Sequence, residues 1–180
     1  MLEIVVPKLE LFDNEKQEFI EKEKEFKLQL EHSLVSLSKW ESKWKKPFLT
    51  KDKKALEERT KEEFIDYIRC MTITQNVPDS VYDRLTAQNI IDIKNYMEDS
   101  MTATWFKNEA KKPSNEVITS EILYYWMIEN GMDVAIYQKW HLNRLFTLLR
   151  VITEKSNTKP MKKGDILRNY AALNKVRRKH

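Results

Sequence analysis

A mainly α-helical chain with a small N-terminal antiparallel β hairpin or meander, α+β in a single domain, is what three features of these 180 residues predict. Residues 1 to 31 alternate apolar and polar side chains with the period of two that strands require. From Ser33 onward the apolar residues recur three or four apart, as on one face of a helix. Only two glycines, Gly131 and Gly164, occur in the whole chain, where average usage of about 7% would give roughly a dozen.

Leu2, Ile4 and Val6 alternate with Glu3, Val5 and Pro7, and Leu9 and Leu11 with Lys8 and Glu10. Asp13-Asn14-Glu15-Lys16 reads as a turn, because Asp and Asn side chains bond their own backbone. Phe19 follows, and then Phe26, Leu28 and Leu30 again alternate with charged or polar neighbours. The reading is two or three strands, each with one buried face. Residues 15 to 31 also fit a charged helix, since Glu and Lys favour that state.

Ser33 to Trp44 presents Leu34, Leu37, Trp40 and Trp44 on one helical face, and Pro47 stops it. Thr60 and Glu63 have the spacing of a capping box, ahead of a stripe of Phe64, Ile65, Tyr67, Ile68 and Met71. Pro78-Asp79-Ser80 restarts the chain in a short turn, and Thr86 caps a helix running through Ile90, Ile91, Ile93, Tyr96 and Met97. Residues 99 to 118 read as irregular. Thr119 or Ser120 starts the most apolar helix, stopped at Gly131. Being apolar nearly all round, it is expected at the centre of the core with Trp126 buried. The longest helix is expected over 138 to 155, broken at Lys159-Pro160, with a last one from about Asp165 to Arg178. Residues 1–158 thus form the body, and 159–180 a basic C-terminal helical segment of the same domain.

Composition excludes several classes. Hydrophobic residues at 41% beside charged residues at 33% suit a folded chain in water. The longest apolar run, Ile122 to Ile128, falls far short of the ~20 residues a membrane span needs. The N-terminus lacks the pattern of a secretory signal, and a single cysteine, Cys70, fits a reducing compartment. With so little glycine there is no phosphate-binding loop or dinucleotide fingerprint.

Candidate catalytic chemistry is equally sparse. The histidines, His32, His141 and His180, show no metal-ligand spacing, and His141 has Arg144 and Leu145 rather than a carboxylate at helical distance. Carboxylate pairs alternate with lysines, as solvated faces do. Cys70 lies beside Met71 on an apolar stripe, the setting of a small buried hydrophobe. The expectation is no enzyme, no cofactor and no metal.

Two features point instead to partners. Trp40 and Trp44 stand among Lys39, Lys43, Lys45 and Lys46, a mixture that suits stacking on nucleic acid, although their register with Leu34 and Leu37 suits core or subunit packing better. From Lys159 to His180 eight Lys/Arg face one acid, a net +7 in a chain of +4, leaving −3 on residues 1 to 158. Trp40, Trp44, Lys162, Lys163, Arg168, Arg177 and Arg178 are the candidate partner-binding residues. The alternative use of the terminal charge is to favour a helix dipole.

LEHSLVSLSKWESKWKKPFL (30–49), YIRCMTITQNV (67–77), MTATWF (101–106), ITSEILYYWMI (118–128) and KWHLNRLFTLLRV (139–151) together resemble small proteins of the tail gene clusters of long-tailed bacteriophages, of the tail assembly chaperone type. These are packing segments, so no site residue carries over. The resemblance implies a non-enzymatic protein of the host cytoplasm that holds the tape-measure protein soluble while tail-tube proteins polymerise around it. Self-association is implied too, because shielding a long partner takes many repeated contacts. A structural tail or head-tail connector subunit, and a nucleic-acid-binding module using the basic segment, are the alternatives; no membrane partner is expected.

Overall fold

The computed structural model describes residues 1–50, 52, 54, 58–106 and 117–157. Four strands come first: β1 (Leu2–Val6), β2 (Leu9–Asp13), β3 (Glu18–Glu23) and β4 (Phe26–Leu30). Helices follow: α1 (Leu34–Trp44), α2 (Lys61–Met71), a short α3 (Asp79–Asp83), α4 (Ala87–Glu98), α5 (Ser120–Glu129), a short α6 (Val134–Tyr137) and α7 (Leu142–Asn157). The fold is α+β and mainly helical. No described helix is long and apolar enough to cross a membrane. The chain divides into two compact units, Met1–Leu149 and Arg150–His180. In the second, the described residues are the end of α7, with an Arg150–Glu154 ion pair of 3.1 Å one turn apart. The segment 159–180, with Lys162, Lys163, Arg168, Arg177 and Arg178, lies outside the described residues, as does the expected break at Lys159-Pro160.

The strands form one hairpin inside another. β1 pairs antiparallel with β4, Leu2 opposite Leu30 and Val6 opposite Phe26; β2 pairs with β3, Phe12 opposite Phe19. The strand reading of residues 18–23 and 26–30 therefore holds over the helical one. The ladder breaks at Pro7, which has no N–H to contribute, and at Lys24. Arg84 closes the break by donating to the Pro7 carbonyl (2.6 Å) and the Lys24 carbonyl (3.3 Å), while pairing with Glu23 at 2.9 Å. At the tip, Asp13 accepts from the amides of Glu15 and Lys16, and Gln17 takes the left-handed conformation.

One buried face is found only in the outer pair, where Ile4, Val6, Leu28 and Leu30 enter the core. β2 and β3 depart from the expectation: Leu11, Phe12 and Phe19 are exposed at 49%, 47% and 69%. α4 packs against β1, where Asn89 donates to the Val5 carbonyl. Beyond Pro7 the inner hairpin gains no comparable cover from the described helices.

Helix starts follow local chemistry. Ser33, Thr60 and Thr86 cap α1, α2 and α4, each in a reciprocal box with the residue three further on (Ser36, Glu63, Asn89). Thr119 stands at the N-cap of α5 without donating or accepting a side-chain cap bond. That helix start is served from a distance: Glu41, buried on α1, accepts from the Ser120 amide (2.8 Å) and the Phe48 amide (2.9 Å). A carboxylate placed there also meets the positive end of the helix dipole. α1 accordingly packs on both α2 and α5.

The expected central position of α5 is corrected. Ser120, Leu123 and Met127 are buried, but Trp126 is only half-buried, and Tyr125 and Ile128 are exposed at 58% and 66%. One stripe of the helix meets α1, and its opposite apolar stripe faces outward. The contrast is testable by urea denaturation. Leu123→Ala should cost about 2–5 kcal/mol, as for a fully buried leucine. Tyr125→Ala should stay within about 0.5 kcal/mol, as surface substitutions do; equal losses would return the whole helix to the core.

Candidate functional site

The sequence singles out Trp40 and Trp44, and the fold brings both against α2. Trp40 is 1% exposed, donates its indole N–H to the Glu63 carbonyl at 2.9 Å, and packs edge-on against Phe48 and Tyr67. Its expected role in partner binding is therefore corrected: the ring is core. Trp44 stacks 6.1 Å from Trp40, half-buried, and donates its N–H to Asp66 at 2.8 Å. Lys43 and Lys46 each lie 6.0 Å from the centre of its ring.

The lysines here are balanced rather than presented. Lys43 pairs with Asp66 and Lys46 with Glu63, both at 2.5 Å, and both carboxylates are buried. Burial alone would raise the Asp66 pKa, but hydrogen bonds from Lys43 and Trp44 hold it below the usual range. The Lys46 hydrogen bond holds Glu63 low as well, against its burial. Arg59 covers the Trp40 and Phe48 rings at 5.3 and 4.3 Å and donates to the Phe48 carbonyl at 2.8 Å. Beside it lies a cleft of about 190 Å³, lined by Trp40, Lys46, Pro47, Thr50, Glu58, Arg59 and Glu63. Lys43, Lys46 and Arg59 face Asp66, Glu63 and Glu58 around this cluster, Lys39 and Lys45 are exposed at its margin, and both indole N–H groups are engaged within the chain. It is a packing joint between α1 and α2.

No family model, curated protein or solved structure matches this chain. Its chemistry must be read from the residues themselves.

The buried histidines form a second cluster that spacing did not reveal. His32, just after β4, and His141, one residue before α7 rather than within it, face each other with ring centres 5.2 Å apart. His141 Nε2 lies 2.9 Å from the Tyr96 carbonyl, which can only accept, so that nitrogen carries the proton; Nδ1 then accepts from the Asn143 amide at 3.3 Å. Burial keeps Tyr67 protonated, and its hydroxyl is hydrogen-bonded to His32 Nδ1 at 2.7 Å. Burial favours the neutral form of both rings. Burial and the neighbouring His141 push the His32 pKa down to about 3. Burial also lowers that of His141, although the Tyr96 carbonyl works the other way.

Nearby, Tyr96 donates to Glu31 (2.6 Å), whose other oxygen pairs with the N-terminal amine at 3.0 Å. Each polar residue named in this cluster makes at least one hydrogen bond or ion pair within the chain. Cys70 is half-buried, and burial raises its thiol pKa, the opposite of an activated nucleophile. Among the described residues, no group of three or more His, Cys, Asp or Glu could hold a metal ion.

The surface features that the sequence reading missed are apolar. Phe12 and Phe19 pair on the inner hairpin, ring centres 5.2 Å apart; Tyr125 and Ile128 occupy the outer stripe of α5. Alternation and helical spacing identified the elements but could not say which apolar faces would be left without cover.

The histidine pair sets a pH dependence. A histidine whose folded pKa lies below its unfolded value of ~6.5 contributes stability that is fully present above pH 6.5 and is lost as pH falls toward the folded pKa. Between pH 6.5 and 5, before Glu63 and Asp66 titrate, unfolding free energy should drop with a slope approaching about 1.4 kcal/mol per pH unit from His32, and His141 adds to it in the same direction. Urea titrations across that range, and a flatter slope for His32→Gln, would bear this out; a flat wild-type profile would contradict it.

Proposed function

We propose that this protein is a non-enzymatic interaction protein, specifically a tail assembly chaperone that binds a tape-measure protein during phage tail morphogenesis. The observation that carries the reading is the outward apolar stripe of α5, with Tyr125 and Ile128 in solvent beside the half-buried Trp126. A helix apolar on both sides gains by covering its second side, and exposed apolar surface of this kind serves contact with other chains. An amphipathic helix laid along such a face buries anchors three and four residues apart. A tape-measure protein, long and helical, supplies such faces repeatedly. The phage assignment itself rests on the resemblance of five segments spanning most of the chain.

Co-expression tests the reading. The tape-measure protein from the same tail gene cluster should be soluble and co-purify with the wild-type chain. Tyr125→Ser/Ile128→Ser should weaken that recovery at least tenfold while leaving the thermal midpoint of the isolated protein within about 2–4 °C, as a surface change should. An insoluble tape-measure protein with no co-purification contradicts the proposal. Retention in purified virions would make the protein a tail or connector subunit, and DNA affinity falling steeply with salt would favour the nucleic-acid reading.

A further inference from the structure

The inner hairpin breaks two rules of stable β pairing at once. A two-stranded sheet is marginal in water without a covered face, yet β2 and β3 expose apolar side chains from both faces. Phe12 lies opposite Phe19 and Leu11 opposite Ile20. Because neighbouring residues point to opposite sides, these two pairs occupy opposite faces. Each is flanked by acids in like-charged cross-strand pairs: Glu10 opposite Glu21 beside the phenylalanines, and Asp13 opposite Glu18 beside Leu11 and Ile20. Like charges directly opposite destabilise a hairpin. Lys8 answers part of this by pairing with Glu10 at 2.5 Å, and Glu23 is held by Arg84 and Ser80. From Leu9 to Glu23 there remain six acids against two lysines, a net −4.

Apolar pairs rimmed by excess negative charge favour a segment that is apolar and strongly basic. A second hairpin does not qualify, since two such surfaces repel. Within this chain the complementary stretch is 159–180, where a net +7 is interspersed with Ile166, Leu167, Tyr170 and Leu173. We propose that the β2–β3 hairpin is a docking surface for residues 159–180 of a second copy of this chain. Such an interface is heterologous, one surface meeting a different one, and repeats from copy to copy unless the rotation closes a ring. The proposal is independent of the tape-measure reading, which rests on α5.

Sedimentation velocity on the full chain tests it, with circular dichroism confirming that each variant is folded. At 50 mM NaCl the wild type should self-associate with concentration, and 500 mM NaCl should weaken association at least tenfold. Phe12→Ser/Phe19→Ser, at exposed positions, should do the same at low salt. Charge exchange identifies the occupant. Glu10→Lys/Glu18→Lys/Glu21→Lys, which brings Leu9 to Glu23 to a net +2, should be monomeric alone, and so should the fourfold variant Lys162→Glu, Lys163→Glu, Arg177→Glu, Arg178→Glu, which brings 159–180 to a net −1. Mixed together they should associate, because the basic hairpin of one meets the acidified segment of the other. A wild type monomeric at every concentration overturns the proposal, as does association that neither charge set alters. Failure of the mixture to associate overturns the choice of 159–180; if the hairpin variant misfolds, persistent association of the segment variant alone does so.

Discussion

The described body of this protein depends on one short stretch from Gln29 to Val35, extended as far as Ser33 and then entering the first turn of α1, whose backbone is bonded from both sides. On one side the chain leaving α2 runs against it: the Glu31 amide donates to the Met71 carbonyl at 2.9 Å and the Ile73 amide to the Gln29 carbonyl at 2.8 Å. On the other, the Leu142 amide donates to the His32 carbonyl at 2.8 Å and the Val35 amide to the Gln138 carbonyl at 3.3 Å. Leu30 and Leu34 are fully buried along it, and Leu28 just before it. Buried backbone groups must be paired, so this stretch fixes where α2 ends and where α7 begins. Its extended part ends in Ser33, which caps α1, and carries His32, which meets Tyr67 of α2 and the ring of His141.

That arrangement explains the division of labour around it. Polar residues that looked chemically suggestive are consumed in joining elements: Glu41 ties α1 to the start of α5, Asp66 holds Trp44 and Lys43, and the histidines bind tyrosines and carbonyls at the centre. Exposed apolar surface lies instead where this scaffold stops giving cover, on the hairpin beyond Pro7 and on the outer stripe of α5. The molecule thus combines a closely bonded centre with apolar margins.

What could be read from sequence follows from how local each cause is. The capping boxes at Thr60 and Thr86 act over three residues, and the stop at Gly131 is set by one left-handed residue with φ of +65°. The packing register of Trp40 with Leu34 and Leu37 was legible for the same reason. Glu41 reaching Ser120 joins residues 79 apart, and no local pattern announces it. His32 and His141 meet only because β4 and α7 flank the same extended stretch. Period two is identical in a strand that is covered and one that is not, so β1 and β2 looked alike. Hydrophobicity all round α5 was equally silent about which stripe would meet α1.

Native-state hydrogen exchange tests the central claim, that the 29–35 stretch holds the body together. The amides of Glu31, Ile73 and Leu142 are expected to exchange only through global unfolding, with an opening free energy equal to that from urea denaturation. Amides of the β2–β3 hairpin should open well below that value. If Glu31, Ile73 and Leu142 exchange as readily as the hairpin, the stretch is not the structural centre and the account is wrong.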